Sequence, residues 1–592
     1  MFLDFVSDYD MLNRNFITFR EEDDMKASSI RRLFMVAILA SVFMLPMSGD
    51  FLGAAEPKGT LKFAVPNFDS EIFDPAYHSG VAAYQYLVYM DLVGANVNRS
   101  DLDPRTGIAY KWEANDDNTI WTFYLRKDAK WWDGTPITAH DVKFSIPRNW
   151  QPGSRVGRAE IIINLMGGKN ADKEVDKRIE IIDDYTVRFH LAAPTFRFPD
   201  NLGGTAEFGR MVPKHYVEKN GPKSLVDGSM GSGPYKIVEH VEGSMIRFEA
   251  WPEHPFLQPV YEEVQFRAIP EESTRLAMLK TGELDIAEFS FERLPELEKA
   301  GLQIIKKPTG TLLTIFFTEP YKDPVLAKKE VRKAIMMAID KEAFNKAFFY
   351  GAGDYINDGG NLAQVVDPRN MVTREPIPYN LEEARKIIAR EVPKDYRLKF
   401  FAVIRGEIKA QHVEALADML EKAGLKVDIS LEDYKTIRPK WQDGKLGSGI
   451  YLKNGRKYLV YYPTLYANSP TKKGRHHLIQ IPPDVEVHPD IPKEDLESLR
   501  CMDDLTGKLI GAKNWDEYWK IFSEIMDRSM EQVAPGSGFL FTPRIFAARP
   551  GVLPKWKVNL GYNEPIGIAE LAIYPPEYED DKYHPVEWEG KK

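Results

Sequence analysis

Residues 109–145 read AYKWEANDDNTIWTFYLRKDAKWWDGTPITAHDVKFS, and this stretch decides the fold more than any other. Ile120 to Leu125 alternates apolar and polar side chains, which predicts a half-buried β-strand. Asp133-Gly134 predicts a tight turn, and Thr138 can cap a helix that begins near Ala139. We therefore expect a strand, a turn and a capped helix in which these residues are structural rather than ligand-contacting.

Away from this block, the chain is strand-rich before about residue 300 and alternates between helix and strand after it. The predicted elements before residue 300 are strands at Leu61–Val65, Ile179–Ile182, Thr186–Leu191 and Met245–Ala250 and a helix near Ala82–Leu92. Asp183-Asp184 predicts the turn of a hairpin, and Gly231 to Tyr235 predicts a loop between strands.

The second half contains the clearest supersecondary unit. Helical spacing of apolar residues from Val331 to Ile339 predicts one helix, and Asn380 with Glu383 predicts a capped start for another. A strand at Leu398–Ile404, a helix at Ile408–Ala423 ended by Gly424, and a strand at Lys426–Ser430 complete the pattern. The last three elements predict a βαβ unit with a parallel strand pair and a right-handed crossover.

The N-terminal region predicts export. From Met25, a basic segment precedes a 13-residue apolar run, Leu33 to Leu45, and small residues end at Ala55. This order is typical of a secretory signal cleaved after Ala55. The apolar run is shorter than the roughly 20 residues that span a membrane. A permanent membrane anchor is the alternative interpretation. Residues 1–24 hold seven acidic side chains and do not fit a signal, so we expect translation to start at Met25.

Composition limits the function classes. The chain of 592 residues is 43% hydrophobic and 28% charged, which is typical of a globular protein rather than a disordered one. A net charge of -10 argues against a nucleic-acid binder. The single cysteine, Cys501, excludes an intramolecular disulfide and a cysteine zinc cluster, and its position excludes a lipid-modified cysteine at the signal junction.

Sequence motifs for catalysis are absent. The chain has no G-x-S-x-G, H-E-x-x-H, Walker or G-x-G-x-x-G motif. His476-His477 could bind a metal, but a solvated basic loop explains the pair better. We therefore predict that the protein is not an enzyme and that it has no metal site and no cofactor. A secreted hydrolase with two carboxylates facing each other across a cleft is an alternative that the sequence leaves open.

The block at 109–145 closely resembles the family 5 extracellular solute-binding proteins of ABC importers, the peptide, dipeptide and nickel type. Further similarity follows in the same order along the chain, at Phe73-Asp74-Pro75, Gly231–Tyr235, Ala277–Ile286, Val331–Lys341, Asn380–Ile388 and Gly424–Ile429. The resemblance therefore covers most of the chain after residue 55.

This resemblance implies an α/β fold of the periplasmic binding protein type, with two lobes, an interlobe cleft and an extra inserted subdomain. Lobe I would comprise 56–99, 225–305 and 540–592, the inserted subdomain 100–224, and lobe II 306–539, after a leader and signal at 1–55. The implied function is the periplasmic capture of a peptide or similar small solute and its delivery to ABC permease subunits in the inner membrane. We expect a monomer that does not bind nucleic acid.

Departures from the family pattern concern the ligand. Peptide-binding members of the family place an aspartate after the strand that follows the glycine at 444, where it pairs with a peptide's α-amino group. Here no aspartate occurs from Gly444 to Pro470, and Trp441 replaces an arginine of the oligopeptide binders. A peptide is favoured by the family, but an oligosaccharide or another non-peptide solute is an alternative, as is a sensory or chaperone-like role on the same fold.

Five residues are predicted to contact the ligand. They lie in segments expected to face the cleft: Phe73 and Tyr84 from lobe I, and Arg405, Trp441 and Tyr451 from lobe II. The rings of Trp441 and Tyr451 would stack on a sugar, a base or an apolar ligand, and Arg405 would neutralise a carboxylate. The alternatives are hinge or core packing for the rings and an ordinary surface charge for Arg405.

Overall fold

The computed structural model describes most of the chain from residue 59 onward. The described residues are 59–68, 71–78, 84–94, 102–156, 159–203, 207–353, 377–404, 408–433, 436–437, 440–441, 445–456, 486–500, 503–533 and 536–552. Within them, no helix is both long and apolar enough to cross a membrane.

The fold is mixed α/β. The strands are β1 (Thr60–Val65), β2 (Ala109–Ala114), β3 (Ile120–Leu125), β4 (Ile179–Asp183), β5 (Thr186–His190), β6 (Tyr235–Val241), β7 (Met245–Ala250), β8 (Glu263–Ala268), β9 (Ile286–Phe289), β10 (Gln303–Thr318), β11 (Arg397–Ala402), β12 (Lys426–Leu431), β13 (Gly449–Arg456) and β14 (Gly536–Ala548). The α-helices are α1 (Gln85–Val88), α2 (Ala139–Ser145), α3 (Glu160–Leu165), α4 (Ala171–Arg178), α5 (Lys214–Asn220), α6 (Glu272–Thr281), α7 (Leu294–Lys299), α8 (Lys329–Met337), α9 (Lys341–Phe349), α10 (Leu381–Glu391), α11 (Ala410–Lys422), α12 (Lys493–Leu499), α13 (Asp503–Ile510) and α14 (Trp515–Gln532).

Two sheets organise these elements. The larger has ten strands in the order β12-β11-β13-β10-β14-β9-β1-β8-β7-β6, and the smaller has four in the order β2-β3-β5-β4. All four strands of the smaller sheet lie within the predicted inserted subdomain. In the larger sheet, the long antiparallel pair β10 and β14 stands between the strands of the two predicted lobes, and its register shifts between Pro308 and Thr311 and again between Leu313 and Thr314.

The predictions of two helix caps and of the βαβ unit are confirmed. Thr138 caps α2 in a capping box with Asp141, and Asn380 Oδ1 accepts a hydrogen bond from the backbone N–H of Glu383 at the start of α10. The predicted βαβ unit is present as β11, α11 and β12, and its two strands pair in parallel. Gly424 follows α11 with a φ of 104°, the left-handed conformation that glycine adopts without steric cost.

The helix predicted near Ala82–Leu92 is wrong in extent. In the described part of this segment only Gln85–Val88 is helical. Asp91 and Val93 instead form isolated β-bridges to Arg210 and Gly203. These long-range backbone pairs satisfy the N–H and C=O groups that a longer helix would have used.

The Gly231–Tyr235 loop leads into β6 and requires its glycines for a steric reason. A Cβ on Gly233 would lie 2.2 Å from the carbonyl oxygen of Leu87, and one on Gly231 would lie 2.3 Å from that of Val88. The Gly233 N–H donates to Val88 O at 2.8 Å, and Trp132 Nε1 donates to Gly233 O at 2.9 Å. The loop can therefore approach the α1 segment closely only when these positions carry no side chain.

Two hydrophobic cores lie on the larger sheet. One contains Leu61, Phe63 and Phe266 together with the buried rings of the four-stranded sheet, and none of its members among the described residues lies between 306 and 539. The other joins α6 and α7 to the helices and strands of the second half, and it includes Leu313, Ile315 and Ile450. The two cores lie on opposite faces of the sheet, because adjacent residues of one strand, such as Phe63 and Ala64 of β1, belong to different cores.

Arg332 fixes the end of α14 to α8. Its fully buried guanidinium donates hydrogen bonds to the carbonyl oxygens of Leu326, Ala327, Gln532 and Val533 at 2.6–3.2 Å, and to Ser498 Oγ at 3.1 Å. The acceptors come from three separate chain segments. This residue therefore ties the α14 helix to the body of the second half.

Candidate functional site

The candidate site lies on the face of β10 and β13 that is turned away from the second core. Leu313, Ile315 and Phe317 of β10 belong to that core, so the alternate residue Phe316 is on the opposite face. Tyr451 pairs with Phe316 across the two strands. Because side chains alternate along a strand, Lys453 follows Tyr451 on the same face.

A small aromatic cluster covers this face. Trp441 is 7% exposed, and its ring centroid lies 6.1 Å from that of Phe316 and 5.9 Å from that of Tyr451. Phe401, Val403, Ile437 and Leu446 complete the cluster. Two of the predicted ligand-contacting residues, Trp441 and Tyr451, are therefore brought together by the fold.

Lys453 adds a positive charge to the aromatic cluster. Its Nζ lies 4.0 Å from the centroid of the Trp441 ring and 5.8 Å from that of Phe316. These distances are typical of cation–π contacts. Sequence reasoning missed this residue, because no strand was predicted at Gly449–Arg456; with that strand known, Lys453 stands two positions after Tyr451 on the same face.

The loop that leads into β13 is held by the end of β10. Glu319 has a φ of 44°, an uncommon conformation for a residue with a side chain. Its Oε1 accepts a hydrogen bond from the Gly447 N–H at 2.8 Å, and its backbone oxygen accepts one from Ser448 Oγ at 2.9 Å. Thr318 Oγ1 donates to Gly447 O at 2.7 Å. These bonds fix the register at which Tyr451 and Lys453 enter the sheet.

The two residues predicted to contact the ligand from lobe I are buried in this structure. Phe73 is fully buried and Tyr84 is 3% exposed, and their ring centroids are 5.1 Å apart. Asp74 and Arg148 form a buried ion pair at 2.6 Å beside them, and burial raises the pKa of the Asp74 carboxyl. Both rings therefore contribute to core packing here, and their role as ligand contacts stays a prediction.

Two buried histidines lie in the same half. Burial lowers the pKa of His78 to about 4, although its Nδ1 is 3.0 Å from Ile72 O. Burial likewise lowers the pKa of His254 to about 3, and its Nε2 is 3.1 Å from Ser232 O. Both side chains are neutral at neutral pH, so they act as hydrogen-bonding core residues rather than as charges.

Some of the residues singled out in the sequence are not among the described residues. Arg405 and His476-His477 lie outside the described residues. Among the residues that the structure describes, no group of three or more His, Cys, Asp or Glu side chains is arranged to hold a metal ion. Phe73 and Tyr84 belong to one hydrophobic cluster, and Trp441 and Tyr451 belong to another.

Comparison with known proteins gives the family. The family model for bacterial extracellular solute-binding proteins, family 5 Middle, matches residues 103–471, more than half of the chain. The periplasmic oligopeptide-binding protein OppA of Haemophilus influenzae is 28% identical over 426 residues, which cover 67% of this chain and 76% of that protein. The dipeptide-binding protein of Escherichia coli is 29% identical over 397 residues, 62% of this chain and 68% of that protein.

Solved structures show the same fold. HbpA2 from Haemophilus parasuis matches with a TM-score of 0.66 and 18% identity, covering 85% of this chain and 98% of that one. The periplasmic binding protein DppA from Helicobacter pylori, in complex with the peptide STSA, matches with a TM-score of 0.61 and 19% identity, covering 86% and 97%. The fold is that of the two-lobed periplasmic binding proteins, as the sequence predicted. The chain belongs to the bacterial extracellular solute-binding proteins, family 5.

Proposed function

We propose that this protein is the periplasmic solute-binding component of an ABC importer and that it delivers a peptide or similar small organic solute to the membrane permease. The observation that carries the proposal is the family match over residues 103–471. The names of the relatives agree with it, because they describe periplasmic oligopeptide- and dipeptide-binding proteins. Export would follow cleavage near Ala55 without lipid attachment, and the protein would act as a monomer without binding nucleic acid.

The solute would bind between lobe I and lobe II, with their boundaries as predicted from the sequence. Closure would be driven by the greater affinity of the solute for the closed form. Shifting a two-state equilibrium from 1:99 to 99:1 takes about 5.5 kcal/mol of differential affinity. A micromolar ligand binds with about 8 kcal/mol in all, so such a ligand is sufficient. The bonds of the solute would remain unchanged, because transport requires binding and release alone.

The aromatic cluster on lobe II supports a ligand that differs from a simple dipeptide. A peptide's α-amino group needs a carboxylate partner, and the stretch from Gly444 to Pro470 contains no aspartate. Lys453 places a positive charge beside Trp441, which disfavours an ammonium group at this position. We therefore propose that Trp441, Tyr451 and Lys453 together contact a flat or apolar part of the solute, or an anionic group.

Native mass spectrometry of the protein purified from its own periplasm tests the proposal. We expect a small-molecule adduct that is lost on denaturation and that rebinds unaltered to refolded protein. The loaded protein should also stimulate the ATPase activity of the cognate permease in proteoliposomes. Absence of an adduct, together with no binding of di- to hexapeptides or oligosaccharides in calorimetry, would refute the proposal. Conversion of the bound molecule into a product would indicate a hydrolase instead.

A further inference from the structure

We infer that Arg197 is a positioning residue that holds the inserted subdomain against helix α14 when the two lobes are closed, and so sets solute affinity without touching the solute. Arg197 lies in the predicted inserted subdomain, 100–224, and α14 lies in predicted lobe II, 306–539. The inference rests on the proposed function, because it assumes that these two parts move relative to each other.

The contact is formed by rings around a buried cation. Arg197 is 4% exposed, and its guanidinium carbon lies 5.2 Å from the centroid of the Trp515 ring and 5.0 Å from that of Tyr518. Phe196 packs edge-on against the same two rings, with centroid distances of 5.2 and 6.0 Å. The two residues therefore insert together into an aromatic pocket at the start of α14, which we call the Arg197 contact.

Arg197 is held firmly on its own side. Trp121 Nε1 donates to Thr195 O at 3.2 Å, and Asn201 Nδ2 donates to Arg197 O at 3.2 Å. The next residue, Phe198, is fully buried in the first core, where its ring lies 5.0 Å from that of Phe189. The backbone of this segment is thus held to the predicted inserted subdomain, and Phe196 and Arg197 contact rings of α14.

The α14 helix is held equally firmly on the other side. Arg332 binds the carbonyl oxygens of Gln532 and Val533 at its C-terminal end. Arg528 on α14 forms an ion pair with Asp504 on α13 at 2.9 Å. In the proposed closure, lobe II would carry the α14 rings with it, so the Arg197 contact would form as the lobes close and break as they open.

The free-energy contributions to the Arg197 contact are consistent with a contact that forms and breaks reversibly. Among the described residues, neither Nε nor Nη1 of Arg197 has a hydrogen-bond partner, although both atoms are buried. Burying these two N–H groups without acceptors is costly, and two cation–π contacts offset part of that cost. Because opening returns the guanidinium to water, the contact favours closure without locking it. The closed form is then populated in the absence of solute, and a solute is still required to make it predominant.

Single-molecule energy transfer measures this effect without knowledge of the solute. Dyes would be placed on cysteines that replace Lys173 on α4 and Glu421 on α11, both exposed, in a Cys501→Ser background. We expect exchange between two states. Arg197→Ala should reduce the ratio of closed to open molecules by about threefold to thirtyfold, the range expected for losing such contacts. Arg197→Lys should fall between wild type and Arg197→Ala, because an ammonium is more strongly hydrated than a guanidinium.

The controls separate this role from general stability. Lys127→Gln removes a cation 5.7 Å from the Tyr185 ring within the inserted subdomain and should leave the ratio unchanged. Trp515→Leu removes one ring of the contact on the α14 side. The double variant of Trp515→Leu and Arg197→Ala should change the ratio of closed to open molecules by less than the two single effects combined. An unchanged ratio in Arg197→Ala, or full additivity in the double variant, would overturn the inference alone. A single state in all variants, even with peptide mixtures added, would overturn the proposed closure as well.

Discussion

Replacing Trp441 with alanine separates the two roles that its position allows, ligand contact and core packing. The ring is buried against Phe316 and Tyr451, and the Lys453 ammonium lies 4.0 Å from its centroid. Truncating a buried tryptophan costs about 3–5 kcal/mol of stability through lost contacts and the cavity left behind. We therefore expect Trp441→Ala to lower the thermal unfolding temperature of the empty protein by several degrees.

The effect on solute affinity is the informative measurement. If the ring stacks on the solute, its loss should weaken binding at least tenfold, which corresponds to about 1.4 kcal/mol. A single aromatic contact contributes about 0.5–1.5 kcal/mol in addition to the free energy gained from its buried area. A tenfold loss of affinity is therefore within the expected range. Isothermal titration calorimetry with the solute identified by native mass spectrometry gives the affinity directly.

Trp112→Ala is the matched control for Trp441→Ala. Trp112 is 5% exposed on β2, in the predicted inserted subdomain, and its ring lies 6.4 Å from that of Phe123. It should lose a similar amount of stability while keeping wild-type affinity. If Trp441→Ala behaves in the same way as Trp112→Ala, the reasoning about solute contact is refuted, and Trp441 is a packing residue that supports the strand carrying Tyr451.

Three further predictions concern the scaffold. Arg332→Met should lower the free energy of unfolding in urea by about 3–5 kcal/mol, because it leaves several buried carbonyl groups without donors. The control is Lys333→Met at the exposed neighbouring residue, which should change the free energy of unfolding by less than about 0.5 kcal/mol. Gly233→Ala should lower the unfolding temperature, since its Cβ would lie 2.2 Å from the Leu87 carbonyl oxygen; an unchanged value would contradict the close approach. The pKa of His254 is about 3 in the folded protein, whereas an unfolded histidine has a pKa of about 6.5. Between these two values the unfolded chain binds a proton at this residue and the folded protein does not. The free energy of unfolding should therefore fall as the pH decreases from 6.5 towards 3. His254→Gln should make that pH dependence shallower, and an equally steep profile would show that His254 is not responsible.

The outcome for the candidate site shows the limit of sequence reasoning. Tyr451 was selected as a ring in a segment expected to face the cleft, and no strand was predicted there; with β13 known from the structure, alternation along the strand places Lys453 on the same face. The approach of Trp441 to Tyr451 could not be derived in this way, because their distance depends on how the chain returns to the sheet. The burial of Phe73 and Tyr84 likewise depends on contacts with distant segments.

The sequence by itself determined the features whose interactions are local. The capping by Thr138 and the capped start at Asn380 involve bonds within a few residues, and the βαβ unit around α11 pairs consecutive strands of one short segment, so the chain encodes them directly. The family resemblance also came from the sequence. Tertiary structure alone decided that α1 would be short and that Arg197 would meet Trp515, a residue more than 300 positions away. Such pairings depend on the packing of the entire chain, since many rings could have covered that guanidinium and only the assembled fold selects among them.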